Sequence, residues 1–124
     1  MRPLYLELCG IGPFAGTQHI DFASLDDKAL FLIHGPTGQG KSFIFDVLCY
    51  ALYADTPAGR EAHLKSDYLI DGVEPFIDFK FSLGRDSYRV RRALPYNRPR
   101  KKGEGFTTTS EIQSLSILNP DGSE

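Results

Sequence analysis

The sequence predicts an α/β fold, and three features predict it. Leu30-Phe31-Leu32-Ile33 is an uninterrupted apolar run, a glycine-rich loop follows at Gly35 to Ser42, and Lys41 to Ala54 carries apolar side chains at helical spacing. Strand, loop and helix in that order form the unit from which a mixed or parallel sheet is built. Alternating runs bounded by turn residues follow downstream and add antiparallel strands. The expected architecture is a mixed β-sheet around a buried helix, with an antiparallel β-meander beside it.

The elements can be justified in order. Leu4 to Leu8 alternates as a strand, with Leu4, Leu6 and Leu8 on one side, and Gly10-Ile11-Gly12-Pro13 ends it. Gln18 to Phe22 predicts a second strand, with Ile20 and Phe22 facing one way. Ala29 to His34, apolar without alternation, suits a central strand covered on both faces. In the helix, Ile44, Val47, Leu48, Ala51 and Leu52 keep helical spacing while Phe43, Phe45, Cys49, Tyr50 and Tyr53 fill the other faces. A helix apolar nearly all round is expected between two layers. Thr56-Pro57-Ala58-Gly59 closes it, and a polar stretch runs from Arg60 to Gly72.

Phe76 to Leu83 and Ser87 to Ala93 then read as a hairpin across Gly84-Arg85-Asp86. Pro95 to Gly105 is basic, rich in proline and glycine, and expected to be mobile. Thr108 to Leu118 is strand-like, and Asn119-Pro120-Asp121-Gly122 is a turn signal. A turn after a strand implies a return strand, and the chain stops at Glu124. The expectation is a piece cut inside a meander.

At 124 residues the chain is one domain long, and 41% hydrophobic with 24% charged residues is ordinary for a soluble globular protein. No stretch approaches the roughly 18 apolar residues of a membrane span, and the N-terminus lacks a secretory apolar region. The two cysteines, Cys9 and Cys49, have no metal-ligand spacing. They read as reduced, buried side chains of a cytoplasmic protein, with a disulfide between them the alternative. Charge is distributed unevenly. Arg85 to Lys102 holds eight of the fourteen basic residues against one acid, Asp86, for a net +7; with −2 overall, the rest carries −9. Such separation points toward a polyanionic partner.

Gly35-Pro36-Thr37-Gly38-Gln39-Gly40-Lys41-Ser42 satisfies G-x-x-x-x-G-K-[ST] in full. Glycines at 35, 38 and 40 let backbone N–H groups approach phosphate oxygens with no Cβ in the way. Lys41 supplies a point charge for the β- and γ-phosphates of ATP, and Ser42 a hydroxyl ligand for Mg²⁺. The helix that starts there directs its partial positive charge at the same anion. Four constrained positions would arise by chance on the order of once in a few hundred chains of this length. The flanking apolar strand and helix signals make chance rarer still.

Beyond this cradle, several stretches resemble the N-terminal lobe of SbcC, the coiled-coil ATPase subunit of the bacterial SbcC–SbcD nuclease, related to the SMC-like ATPases. They are Gly12-Pro13-Phe14-Ala15-Gly16-Thr17, Ile20-Asp21-Phe22, the run from Leu30 to Gly38, Lys41-Ser42, Cys49-Tyr50-Ala51-Leu52-Tyr53, and Tyr88-Arg89-Val90-Arg91-Arg92. A Pro/Arg/Lys/Gly segment and Thr107-Thr108-Thr109 continue the likeness, which covers essentially all of residues 1–124.

The resemblance implies an ABC-type P-loop ATPase head, of which residues 1–124 would be the N-terminal half. The coiled coil, with its zinc-binding apex, and the C-terminal lobe lie elsewhere in that family. No Q-loop, signature motif, Walker B acid or switch histidine is apparent, so the chain is expected to bind ATP and Mg²⁺ through Gly35 to Ser42 and Phe43 without hydrolysing it. No catalytic residue is assigned. The implied partners are an SbcD-type nuclease subunit, DNA, the chain's own C-terminal lobe and a second head.

The sequence departs from the family at three places. Phe43 stands where a small Ser or Thr usually helps to hold the α-phosphate, Gln39 replaces a small residue, and Phe45 replaces a commoner Leu. The backbone N–H of residue 43 remains as a donor, and a restored hydroxyl would be expected to tighten binding.

Other residues carry two readings each. Asp46, one turn past Ser42, is read as orienting a neighbouring group rather than as catalytic, and His34 as a packing residue. Gly12 to Thr17 lies beside the nucleotide in the family, or else simply joins two strands. Lys65-Ser66-Asp67 resembles a region near the base and ribose of related heads. In the basic segment, Arg89 and Arg91 share one strand face, and with Arg98, Arg100, Lys101 and Lys102 they either meet DNA phosphates, form a solvated face, or contact the nuclease partner. Few aromatic residues accompany them, so any DNA contact would be sequence-independent. A nucleotide-gated DNA clamp of SMC type is the alternative function. A transporter ATPase fits poorly with the +7 segment and the early cradle.

Overall fold

A ten-residue strand, β1 (Arg2–Ile11), organises the molecule because it pairs on both sides. The computed structural model describes residues 1–25, 30–57, 59 and 63–124. Around β1 are β2 (Phe14–Asp21), β3 (Phe76–Leu83), β4 (Asp86–Ala93) and, further along the chain, β7 (Ile112–Leu118). They form a five-stranded sheet in the order β2-β1-β3-β4-β7, and every pairing is antiparallel. The single helix of more than one turn among the described residues, α1 (Lys41–Tyr53), packs across β3 and β4.

Alternation sets the two faces of the sheet. Leu6, Leu8, Ile77, Phe79, Phe81 and Val90 point toward α1 and are buried. The register that places Leu6 beside Phe79 and Phe79 beside Val90 makes them one continuous layer. Val47, Tyr50 and Ala51 of α1 close over it. Leu6, Ile77 and Phe79 are wholly buried, and a side chain of this size contributes about 1.5–3 kcal/mol relative to exposure. On the opposite face the register places Glu7 beside Asp78, and Asp78 beside Arg91. That face is held together by charge.

Several expectations need correction. The predicted central strand at Ala29 to His34 is not a strand where it is described (Ala29 lies outside the described residues). Leu30 and Leu32 are 89% and 82% exposed. A continuous apolar run signals that both faces will be covered, but it does not supply neighbouring strands. None of the described strands pairs with it, and the described residues form no mixed sheet. The helix is not buried all round either: Phe45 and Tyr53 are 58% and 73% exposed, on the side away from the sheet. Ala54 ends the helix in a left-handed conformation, φ 57°, its N–H donating to Tyr50 O. Closure therefore comes before Thr56-Pro57-Ala58-Gly59, of which Ala58 lies outside the described residues, as do residues 60–62 of the polar stretch.

The basic segment from Pro95 carries a small hairpin that the sequence did not suggest, β5 (Asn97–Pro99) with β6 (Phe106–Thr108). Its base is fastened by Thr109 N–H to Tyr96 O and Thr108 Oγ1 to Asn97 Oδ1, both 2.9 Å. The Asn119 turn closes as predicted, with Gly122 N–H donating to Asn119 O at 2.8 Å. Cys9 and Cys49 are both free thiols.

Candidate nucleotide site

The cradle stands at the N-terminus of α1. Gly40, at φ 81°, is its N-cap and supplies no side-chain cap, so no side chain occupies the amides at the start of the helix. Gly38 is also left-handed, at φ 86°. A cavity of about 550 Å³ opens here. Thr37, Gly38, Gly40, Lys41 and Ser42 of the cradle line it, with Phe43 and Asp46 of α1 and with Pro13 from the turn between β1 and β2.

Lys41 Nζ donates to Pro36 O at 2.6 Å, folding the side chain back across its own loop. A bound phosphate would compete for that ammonium group. The N–H of Phe43 donates to Gly40 O at 3.1 Å, so it too is engaged within the loop. Asp46 is 3% exposed and lines the same cavity one turn after Ser42. The donor set fits a polyphosphate with a hard cation: backbone amides, one lysine, a serine hydroxyl and a nearby carboxylate. His34 is exposed.

The turn from Gly12 onward, which the sequence places either beside a nucleotide or merely between strands, reaches the cavity through Pro13. Lys65 forms an isolated antiparallel bridge with Ile11, Gly12 N–H donates to Leu64 O at 2.7 Å, and Ser66 N–H donates to Gly10 O at 2.9 Å. Residues 64–66 therefore brace the turn from behind. Lys65 and Asp67 are exposed there, while Ser66 is buried.

The basic residues separate into two groups. Arg89 reaches Asp78 with Nε at 2.9 and 3.0 Å from its two carboxylate oxygens, and also contacts Glu124. The Asp78 carboxylate raises the Arg89 pKa well above its ordinary value, and the Arg89 guanidinium holds Glu124 below the usual carboxylate range. Arg91 bonds Glu74 at 2.9 Å and lies over the Phe76 ring. Both guanidinium groups thus already hold carboxylate partners within the chain. Arg98, Arg100, Lys101 and Lys102 are exposed on the β5–β6 hairpin.

Sequence reasoning gave Arg92 no role of its own. It lies on the α1 side of β4 and is buried, with Nε donating to Ala51 O at 2.8 Å and the guanidinium near the Tyr50 ring. A cation on the last carbonyls of a helix offsets their partial negative charge. Its parity with Tyr88 and Val90 was the available signal.

Comparison with known families bears on the chain as a whole. The family model described as "AAA domain" matches residues 5–121. The chain belongs to the AAA domain family. Curated relatives of this AAA domain are named as the C subunit of nuclease SbcCD. The one from Vibrio cholerae is 42% identical over 126 aligned residues, covering 100% of this chain and 12% of that protein. The one from Staphylococcus aureus is 42% identical over 122 residues, covering 96% and 12%. The one from Lactococcus lactis is 35% identical over 120 residues, covering 96% and 11%. The resemblance to SbcC read from the residues therefore holds across the whole chain, which spans about an eighth of the length of these relatives. No helix among the described residues of this AAA domain is long and apolar enough to cross a membrane.

Proposed function

We propose that residues 1–124 are the ATP-binding N-terminal lobe of an ABC-type ATPase head, in the ATPase subunit of an SbcCD-type nuclease that processes DNA double-strand ends for repair in the cytoplasm. The observation that carries this is the cavity at the start of α1, walled by Thr37, Gly38, Gly40, Lys41 and Ser42. Gly35 to Phe43 would hold the phosphates, with Lys41 on the β- and γ-phosphates and Ser42 on Mg²⁺. The metal would supply charge neutralisation between phosphate oxygens; the chain's own amides, ammonium and hydroxyl bind and orient them. The relatives' names favour a nuclease subunit over an SMC-type clamp. An SbcD-type subunit, a C-terminal lobe and a second head are the partners this assigns.

The test is a fluorescent-nucleotide titration with Mg²⁺. Lys41→Ala removes the ammonium charge, and detectable ATP binding should disappear. Unchanged affinity would contradict the assignment.

Within the same proposal, DNA contact falls to the β5–β6 hairpin, because Arg89 and Arg91 are held by Asp78 and Glu74. Changing Arg98, Arg100, Lys101 and Lys102 to Ala together should lower the log–log salt slope of duplex binding by up to about 3.6 units. An unaltered slope would put the DNA site elsewhere.

A further inference from the structure

The residue that departs most from the family at the cradle, Phe43, is locked into the turn beside it. Gly12 sits at φ +56°, and a Cβ built there would fall 2.2 Å from Phe43 Cε1 and 2.4 Å from Cζ. The ring occupies the space a side chain at position 12 would need. The contact is answered from the other side, where a Cβ on Gly40 would lie 3.3 Å from Phe14 Cζ and 3.4 Å from Pro13 Cγ. Each segment lays an aromatic ring on the other's glycine. Backbone bonds from Gly12 N–H to Leu64 O and from Ser66 N–H to Gly10 O fix the base of the turn; the ring contacts set its tip.

The cavity walls differ in chemistry. Amides, Thr37, Lys41 and Ser42 suit phosphate and the Asp46 carboxylate suits its cation, whereas Pro13 and Phe43 bring no side-chain donor or charge. An apolar wall beside a phosphate cradle suits the sugar and base, not a further anion.

We propose that Phe43 is a positioning residue for the nucleoside end of the ligand: packed on Gly12, its ring holds the Pro13–Phe14 turn as the wall against which that end rests. This rests on the nucleotide assignment of the cradle. It also reverses the expectation for a restored hydroxyl, since Phe43→Thr would lose more at the turn than it gains at the α-phosphate.

The test compares Mg·ATP with inorganic tripolyphosphate, which has phosphates but no nucleoside, by calorimetric titration of the 124-residue chain. Phe43→Ala should weaken ATP about tenfold and tripolyphosphate less than about twofold. Phe43→Leu, which keeps apolar bulk in the core, serves the same comparison if the alanine variant does not fold. Gly12→Ala should lower the melting temperature strongly in the parent chain and less in the Phe43→Ala background, where the clash is gone.

Equal weakening of both ligands, no weakening of ATP, or tighter ATP binding by Phe43→Thr would overturn the proposal. A parent chain that binds neither ligand would overturn the nucleotide assignment itself.

Discussion

The sheet and the cradle arm, Leu30 to Tyr53, are built from similarly apolar sequence but end differently. In the inner strands of the sheet, side chains find their partners within these residues: Leu6, Phe79 and Val90 adjoin in one buried layer, and Asp78 takes Arg89 and Arg91 on the other face, whereas the edge strand β7 leaves Ile112, Leu115 and Ile117 exposed. In the cradle arm, Leu30, Leu32, Phe45 and Tyr53 are exposed, while the inner face of α1 is covered and Phe31 meets the Phe22 ring. Apolar content alone does not distinguish the two regions. What distinguishes them is whether neighbouring strands exist to satisfy the backbone and cover the faces. Strands β1, β3 and β4 with the inner face of α1 thus make a closed core, whereas the cradle arm stays structurally open around the loop proposed to take phosphate.

Substitutions should break the two regions unequally. Phe79→Ala removes a wholly buried ring from the centre of the sheet and should cost about 3–5 kcal/mol in urea unfolding. Against the roughly 5–15 kcal/mol total of a typical domain, that is severe. Leu32→Ser, in the cradle arm, should change stability by less than about 0.5 kcal/mol because Leu32 is already exposed. A cost above about 2 kcal/mol at Leu32 would mean the arm is packed in solution, and the contrast would fail.

Much of this was legible in the sequence, for reasons that differ from residue to residue. Leu4, Leu6 and Leu8, and the runs flanking Gly84-Arg85-Asp86, are strands because period-two alternation is a local signal. The cradle was legible because its chemistry dictates residue types at fixed spacing. The Asp78–Arg91 pair was not legible: a loop of Gly84-Arg85-Asp86 would set Leu83 opposite Ser87 and Asp78 opposite Arg92, whereas β4 begins at Asp86 and sets Leu83 opposite Asp86. The exposure of Leu30 and Leu32 was not legible, because pairing depends on strands distant in sequence. Nor was the contact of Phe43 with Gly12, thirty-one positions apart. The β5–β6 hairpin was missed because its strands are three residues each, below the length at which alternation can be recognised.

The openness of the cradle leads to an expectation for turnover. Hydrolysis at a P-loop requires a carboxylate to complete the Mg²⁺ site and a group to position the attacking water. Asp46 adjoins Ser42 on α1, but no acid here follows a second apolar strand in the way such a carboxylate does. Asp71 lies in a turn, and Asp78 is occupied by Arg89 and Arg91. A lobe without water positioning and charge stabilisation would be slower by many orders of magnitude.

The most direct measurement is steady-state phosphate release by purified residues 1–124 under conditions where Mg·ATP is bound. The account predicts binding that depends on Lys41, with release no faster than background. Release above background that disappears in Lys41→Ala would contradict it, because the lobe would then carry a catalytic apparatus of its own.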